Sequence, residues 1–252
     1  MKLIVKSFLC LAVALVALSC GGNDTPSPST NTCKILQLTT SADNTKSVTT
    51  FKYAANRVSE ILTTSTFSGR EEKTTMTLTY DAAGRLSSRK SLESNRTREY
   101  IYTYKANGEL EKVQVLTTYG STTPEKYELS FEYVNGKISK VIDTYTTKEY
   151  TYNAQGNIET TKMYYNGGNR QVFSYQYDNK VNFYALLKGL APEEPEYNNL
   201  NNVTLSSTQI NGSKYDVSYN YTYNSKNLPT KFVTSTHKNT PLVYEITYWD
   251  CN

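Results

Sequence analysis

From Cys33 onward, apolar positions recur every second residue, the spacing that puts alternate side chains on one face of a β-strand. Eight times a large apolar residue stands two before a tyrosine. The pairs are Phe51/Tyr53, Leu78/Tyr80, Tyr102/Tyr104, Phe131/Tyr133, Tyr150/Tyr152, Tyr175/Tyr177, Tyr221/Tyr223 and Ile246/Tyr248. The residue between the two is polar each time: Lys52, Thr79, Thr103, Glu132, Thr151, Gln176, Thr222 and Thr247. This agreement predicts strands with one packed, aromatic face and one solvated face.

A short turn and an aliphatic residue follow the tyrosine. The clearest copy is Tyr80-Asp81-Ala82-Ala83-Gly84-Arg85-Leu86, with variants from Tyr104 to Leu110, Tyr133 to Ile138 and Tyr152 to Ile158. Weaker copies run from Tyr53 to Val58 and from Tyr223 to Leu228. Glycine in such a hairpin loop takes the positive-φ position that other residues resist. The strand leaving the turn carries apolar residues three apart, as in Val58/Ile61, Leu110/Val113 and Ile138/Val141. Three is out of step with a flat strand, so a β-bulge just after each turn is expected. A helix is the competing reading, and the wealth of Thr, Val and Ser weighs against it.

From Tyr53 to Tyr177 the anchors lie 19 to 29 residues apart, enough for two strands and two turns each. At ordinary strand and loop lengths that makes roughly 14 to 17 strands. Open twisted sheets rarely exceed about 10 strands without curling or splitting. The fold expected is therefore all-β: a long antiparallel meander of hairpins curled into a barrel, spanning 33–252 as one domain. Closure would bring the first and last strands together, which a disulfide between Cys33 and Cys251 requires. The loop it closes spans almost the whole fold, for which chain entropy gives at most roughly 5 kcal/mol.

One segment, between Tyr177 and Tyr223, breaks the pattern. Phe183, Leu186, Leu187 and Leu190 fall at helical spacing and predict one short amphipathic helix within 182–190. Asn182 is placed to cap its start and Gly189 to loosen its end. A polar loop follows from Ala191 to Asn202, with Glu193, Glu194 and Glu196. The plain expectation is a lid or plug on the barrel mouth. The sharper one is a gate over a ligand cavity. Calcium at the glutamates has suitable oxygen ligands but no recognised spacing.

The N-terminus changes the setting. Met1 to Ser19 has Lys2 and Lys6 before an apolar run too short to span a bilayer, which marks a signal segment. Ala17-Leu18-Ser19-Cys20 resembles the lipobox of bacterial lipoproteins, which implies lipidation of Cys20. Residues 20–32 then form a polar, flexible tether reaching roughly 20 Å. The expected location is the outer membrane of a Gram-negative cell envelope, with the chain anchored rather than spanning.

Composition excludes more than it assigns. There are 27 basic residues, two of them in the signal segment, against 23 acidic ones, a balance unsuited to nucleic acid. Tyrosine is the outlier, at 23 residues against seven Phe and one Trp. No catalytic constellation, metal motif or phosphate loop is present, so no enzyme, cofactor or metal is expected. His237, the lone histidine, lies in a polar run and reads as a solvated turn residue. A glycosidase could still hide among the many carboxylates. Two stripes, Tyr100/Tyr102/Tyr104 and Tyr215/Tyr219/Tyr221/Tyr223, read first as core packing. Alternatively, part of a stripe lines a cleft and stacks on a carbohydrate or other small ligand. Trp249 is off the packed face. A membrane pore is disfavoured, because strands such as Leu86 to Ser91 offer no apolar band on either face.

The Tyr-Asp-x-x-Gly-Arg-Leu unit resembles the YD repeats of Rhs-type shell proteins. More closely, the chain from Cys33 on resembles a family of Gram-negative lipoproteins described as having a porin-like fold. The lipobox and tether, the Tyr…Gly-x-Leu meander and the Asn182-Phe183-Tyr184…Asn201-Asn202-Val203 interruption carry this likeness. It implies a barrel, no activity and no functional residues. The leading functional expectation is a non-catalytic binding module, and the rival is an interaction protein with a filled barrel.

Overall fold

The structure, a computed structural model, describes residues 33–251 except 167, 169, 188, 237–239 and 250. The signal segment, Cys20, the tether and His237 lie outside the described residues. Sixteen strands run in chain order. The first eight are β1 (Lys34–Ala42), β2 (Thr45–Ala54), β3 (Arg57–Phe67), β4 (Arg70–Tyr80), β5 (Leu86–Leu92), β6 (Arg96–Tyr104), β7 (Leu110–Tyr119) and β8 (Glu125–Val134). The second eight are β9 (Lys137–Ile142), β10 (Thr146–Tyr152), β11 (Ile158–Tyr165), β12 (Arg170–Val181), β13 (Asn201–Ile210), β14 (Ser213–Tyr223), β15 (Pro229–Thr236) and β16 (Leu242–Trp249). Each pairs antiparallel with its sequence neighbours, and β1 pairs with β16 to close a barrel. Cys33 and Cys251 are bridged at that seam, 218 residues apart in sequence.

The expected bulge is present in every tyrosine unit. Thr79 pairs with Ser88 and Tyr80 with Leu86, so Ser87 is the extra residue. The same shift follows Tyr53, Tyr104, Tyr133, Tyr152, Tyr177 and Tyr223, and at the seam it falls at Leu36, opposite Tyr248. It returns the apolar residue three further on to the inner face. Val58 and Ile61, Leu110 and Val113, and Ile138 and Val141 are all buried.

A feature of the anchors was not read from the sequence. The hydroxyls of Tyr53, Tyr80, Tyr104 and Tyr133 donate to the carbonyls of Ile35, Val58, Leu86 and Leu110. Those of Tyr152, Tyr177 and Tyr248 donate to Ile138, Ile158 and Pro229. The distances run from 2.6 to 3.1 Å. Each acceptor lies in the preceding unit, so the hydroxyls stitch unit to unit around one end of the barrel. Phenylalanine could not do this, which is why the anchor is tyrosine throughout. The eighth, Tyr223, donates instead to the Asp178 carboxylate, beside the inserted segment.

The inner face is packed with Phe51, Leu78, Tyr102, Val113, Phe131, Tyr150, Phe232 and Ile246. The outer face carries polar side chains and cross-strand ion pairs, including Lys52–Glu60 at 2.6 Å and Lys140–Glu132 at 3.4 Å. Trp249 is exposed on that side, with the Lys34 ammonium 4.9 Å from its ring.

The inserted segment differs from the helix expected. Phe183–Leu187 is a single 3-10 turn, and a second covers Pro195–Asn198. Leu190 lies beyond the first, because Gly189 turns the chain at φ 82°. Nor is the stretch after Ala191 a surface loop: Ala191, Glu193, Pro195, Asn199, Asn201 and Asn202 are buried. Asparagines hold it in place. Asn157 Nδ2 donates to Asn201 Oδ1 at 2.9 Å, and Asn157 Oδ1 accepts the Leu200 and Asn201 amides. Asn199 Oδ1 accepts the Ile158 amide, and Asn182 Oδ1 caps the first turn through Tyr184 N–H.

Candidate functional site

The tyrosine turns and the insertion meet at one end of the barrel. The turns after β2, β4 and β6 face the insertion across a cleft of about 340 Å³. Tyr53, Tyr80, Tyr104, Asn56, Arg57, Arg85, Gly84 and Gly108 form its barrel wall. Leu186, Leu187, Leu190 and Pro192 form the other wall.

The barrel wall carries a row of cations. The residue before the aliphatic one in a unit reaches over the tyrosine of the next. Lys34 lies over Tyr53, Arg57 over Tyr80, Arg85 over Tyr104 and Lys137 over Tyr152, at 4.5 to 5.6 Å from the ring centres. Lys105 lies likewise over Tyr133. This explains the Asp and Arg of the Tyr80 unit. Asp81 accepts from the Arg85 amide, and its Oδ2 takes Nε and Nη2 of the same arginine at 2.8 Å. That arrangement aims the guanidinium at Tyr104 and holds the Asp81 carboxyl below its ordinary range. Gly84 takes a φ of 80°, and the Arg57 guanidinium, the end of a flexible side chain, rests against it.

Beneath the cleft, acids on the insertion enter the barrel. Glu193 pairs with Arg89 of β5 at 2.6 Å, with the two side chains 3% and 11% exposed. Arg89 also lies 4.1 Å from the centre of the Tyr100 ring, and Glu194 is 4.0 Å from its guanidinium. Burial pushes the Glu193 carboxyl up, against the pull of Arg89. Burial likewise raises Glu196, which faces Lys148 and Tyr150. Glu193 and Glu196 thus face cations, and Glu194 adds to the upward push on both. Among the described residues, no three His, Cys, Asp or Glu side chains converge as metal ligands.

The tyrosine stripes divide between these places. Tyr102 is buried beside Glu193, and Tyr100 is covered by Arg89. Tyr104 alone of that stripe reaches the cleft. Tyr221 packs on Tyr223 and Phe232, and the Tyr219 hydroxyl meets Ser206 Oγ at 3.4 Å. Tyr215 is exposed at the far end of its strand. Phe183 is buried against Tyr184 and Phe232, and so stands away from the cleft. The cations over the rings are the residues that sequence reasoning missed. Their signal was a recurring Lys or Arg just before the aliphatic residue, at Lys34, Arg57, Arg85 and Lys137.

Among solved structures, the chain is similar in fold to porin-like proteins of Bacteroides. The Bacteroides uniformis protein is 12% identical, with 87% of this chain and 98% of that one covered and a TM-score of 0.45. The Bacteroides vulgatus protein is also 12% identical, with 85% and 98% covered and a TM-score of 0.40. No protein-family profile and no curated protein sequence matches the chain.

Proposed function

We propose that this protein is an outer-membrane-anchored lipoprotein of the Gram-negative envelope, whose barrel is a non-catalytic module binding a small ligand in the rim cleft. The cleft itself carries this reading. Its volume of about 340 Å³ falls in the size class of small-molecule sites, and an apolar wall faces a mixed one in which two arginines stand among tyrosines, Val58 and Leu86. The anchor rests on the lipobox-like Ala17 to Cys20, and the terminal disulfide suits an oxidising compartment. The tether would enter at Cys33, on the same end of the barrel as the cleft, which keeps the cleft near the membrane.

The outer ion pairs argue against a pore, since charge at mid-membrane on a lipid-facing strand costs about 2–4 kcal/mol. A thermal-shift screen of sugars and small organic acids on the chain from Gly21 onward tests the binding reading. At least one class should raise the melting temperature, and Leu190→Asp should remove that rise. The same protein should stay in solution without detergent; a need for detergent would revive the pore. The packed interior favours a second reading, an interaction scaffold, which a screen with no binder would support.

A further inference from the structure

We propose that the rim cleft takes an organic carboxylate, with its acid group on the Arg57 guanidinium and its apolar body on Leu186, Leu187, Leu190 and Pro192. This rests on the reading of the cleft as a ligand site and names the ligand's chemistry. Neither Asp nor Glu lines the cleft, while two guanidiniums do. Arg85 is committed to Asp81 by two short bonds. Arg57 forms no ion pair among the described residues. Its guanidinium is held at the wall by the Tyr80 ring, 5.4 Å away, and by the bare face of Gly84.

One open guanidinium fork matches one carboxylate, which it can bind through two parallel N–H···O bonds. The apolar wall beside it offers the body of such a ligand a surface to pack on. A neutral sugar is served poorly. It needs bare aromatic faces and several polar partners. The faces of Tyr53, Tyr80 and Tyr104 are overlain by Lys34, Arg57 and Arg85, and their hydroxyls are spent on backbone carbonyls. The Asn56 side-chain oxygen Oδ1 already accepts from Lys34 Nζ at 2.9 Å.

The test uses the full chain in nanodiscs of neutral lipid. Titration with 2-naphthoate is compared with its uncharged isostere 2-naphthamide, and with glucose and glucuronate. Naphthoate should bind about tenfold or more tightly than naphthamide, as a charge-assisted contact requires. Arg57→Gln should erase that difference, Arg57→Lys should restore part of it, and Leu190→Asp should weaken both naphthyl probes. Equal affinity of the isosteres, or a difference that survives Arg57→Gln, overturns the carboxylate assignment. Saturable glucose binding without naphthoate binding overturns it too, yet leaves the cleft a ligand site. If no probe saturates at millimolar concentration, both readings fall.

Discussion

The buried pair Arg89–Glu193 fixes the insertion to the barrel, and its removal one side at a time has a calculable cost. Glu193→Gln keeps the volume but strands a guanidinium that is 11% exposed. Breaking one side of a buried pair costs about 3–5 kcal/mol, because the remaining charge stays desolvated. Two contacts soften the loss. Glu194 stands 4.0 Å from Arg89, and the Tyr100 ring remains beneath it. The lower end, about 3 kcal/mol, is therefore expected. For a chain of this size that is a fall of roughly 6–12 °C in melting temperature.

Replacing both partners by apolar residues, Arg89→Met with Glu193→Leu, removes the stranded charge. The double variant should recover to within about 1 kcal/mol of wild type. Urea unfolding of wild type, Arg89→Met, Glu193→Leu and the double variant gives the coupling energy directly. Limited proteolysis adds a local readout, since Glu193→Gln should open cleavage within 182–200 before the barrel unfolds. A single variant within about 0.5 kcal/mol of wild type, or a double variant no better than the singles, would refute the pairing as the fastener.

Other consequences are local. Tyr80→Phe deletes the hydroxyl that donates to Val58 O at 2.7 Å and should cost about 1 kcal/mol by chemical denaturation. Gly84→Val meets both a φ of 80° and the Arg57 guanidinium, so it should cost about 1–2 kcal/mol from the backbone alone. Unchanged stability in that variant would mean the turn is misread. Burial raises Glu196 in the folded state, so above the ordinary carboxylate range the folded barrel binds more protons than the unfolded chain. Its favourable contribution is full below that range and is lost as pH rises through the folded value. Melting temperature should therefore fall from about pH 4.5 toward neutrality, and Glu196→Gln should flatten the fall, as measured by scanning fluorimetry.

The barrel was legible because its physics is local and repeated. A residue two before each tyrosine, a turn and a bulge can all be read within a dozen positions. The insertion was legible only as an interruption. Its asparagines and acids look like solvent-facing loop chemistry, and nothing nearby in sequence says that Asn157 and Arg89 await them 44 and about 100 residues away. The helical spacing of Phe183, Leu186, Leu187 and Leu190 misled for the same reason. Packing sends Phe183 inward and leaves Leu186 and Leu190 against the cleft, so one stripe serves two surfaces.

The repeat therefore does more than build the wall. The rings of Tyr53, Tyr80 and Tyr104 are each overlain by a cation that stands just before the aliphatic residue preceding their own hairpin, Lys34, Arg57 and Arg85. The wall next to the insertion is then positive and closed to stacking, whatever ligand it meets. At Asp81 a carboxylate that follows the tyrosine neutralises the arginine of its own unit, and Glu109 does the same for Lys105 in the next. The unit Tyr53-Ala54-Ala55-Asn56-Arg57 has no acid and leaves its arginine open toward Leu186 and Leu190. The acid present in one copy of the repeat and missing from the other thus decides which of the two arginines is free to hold a ligand.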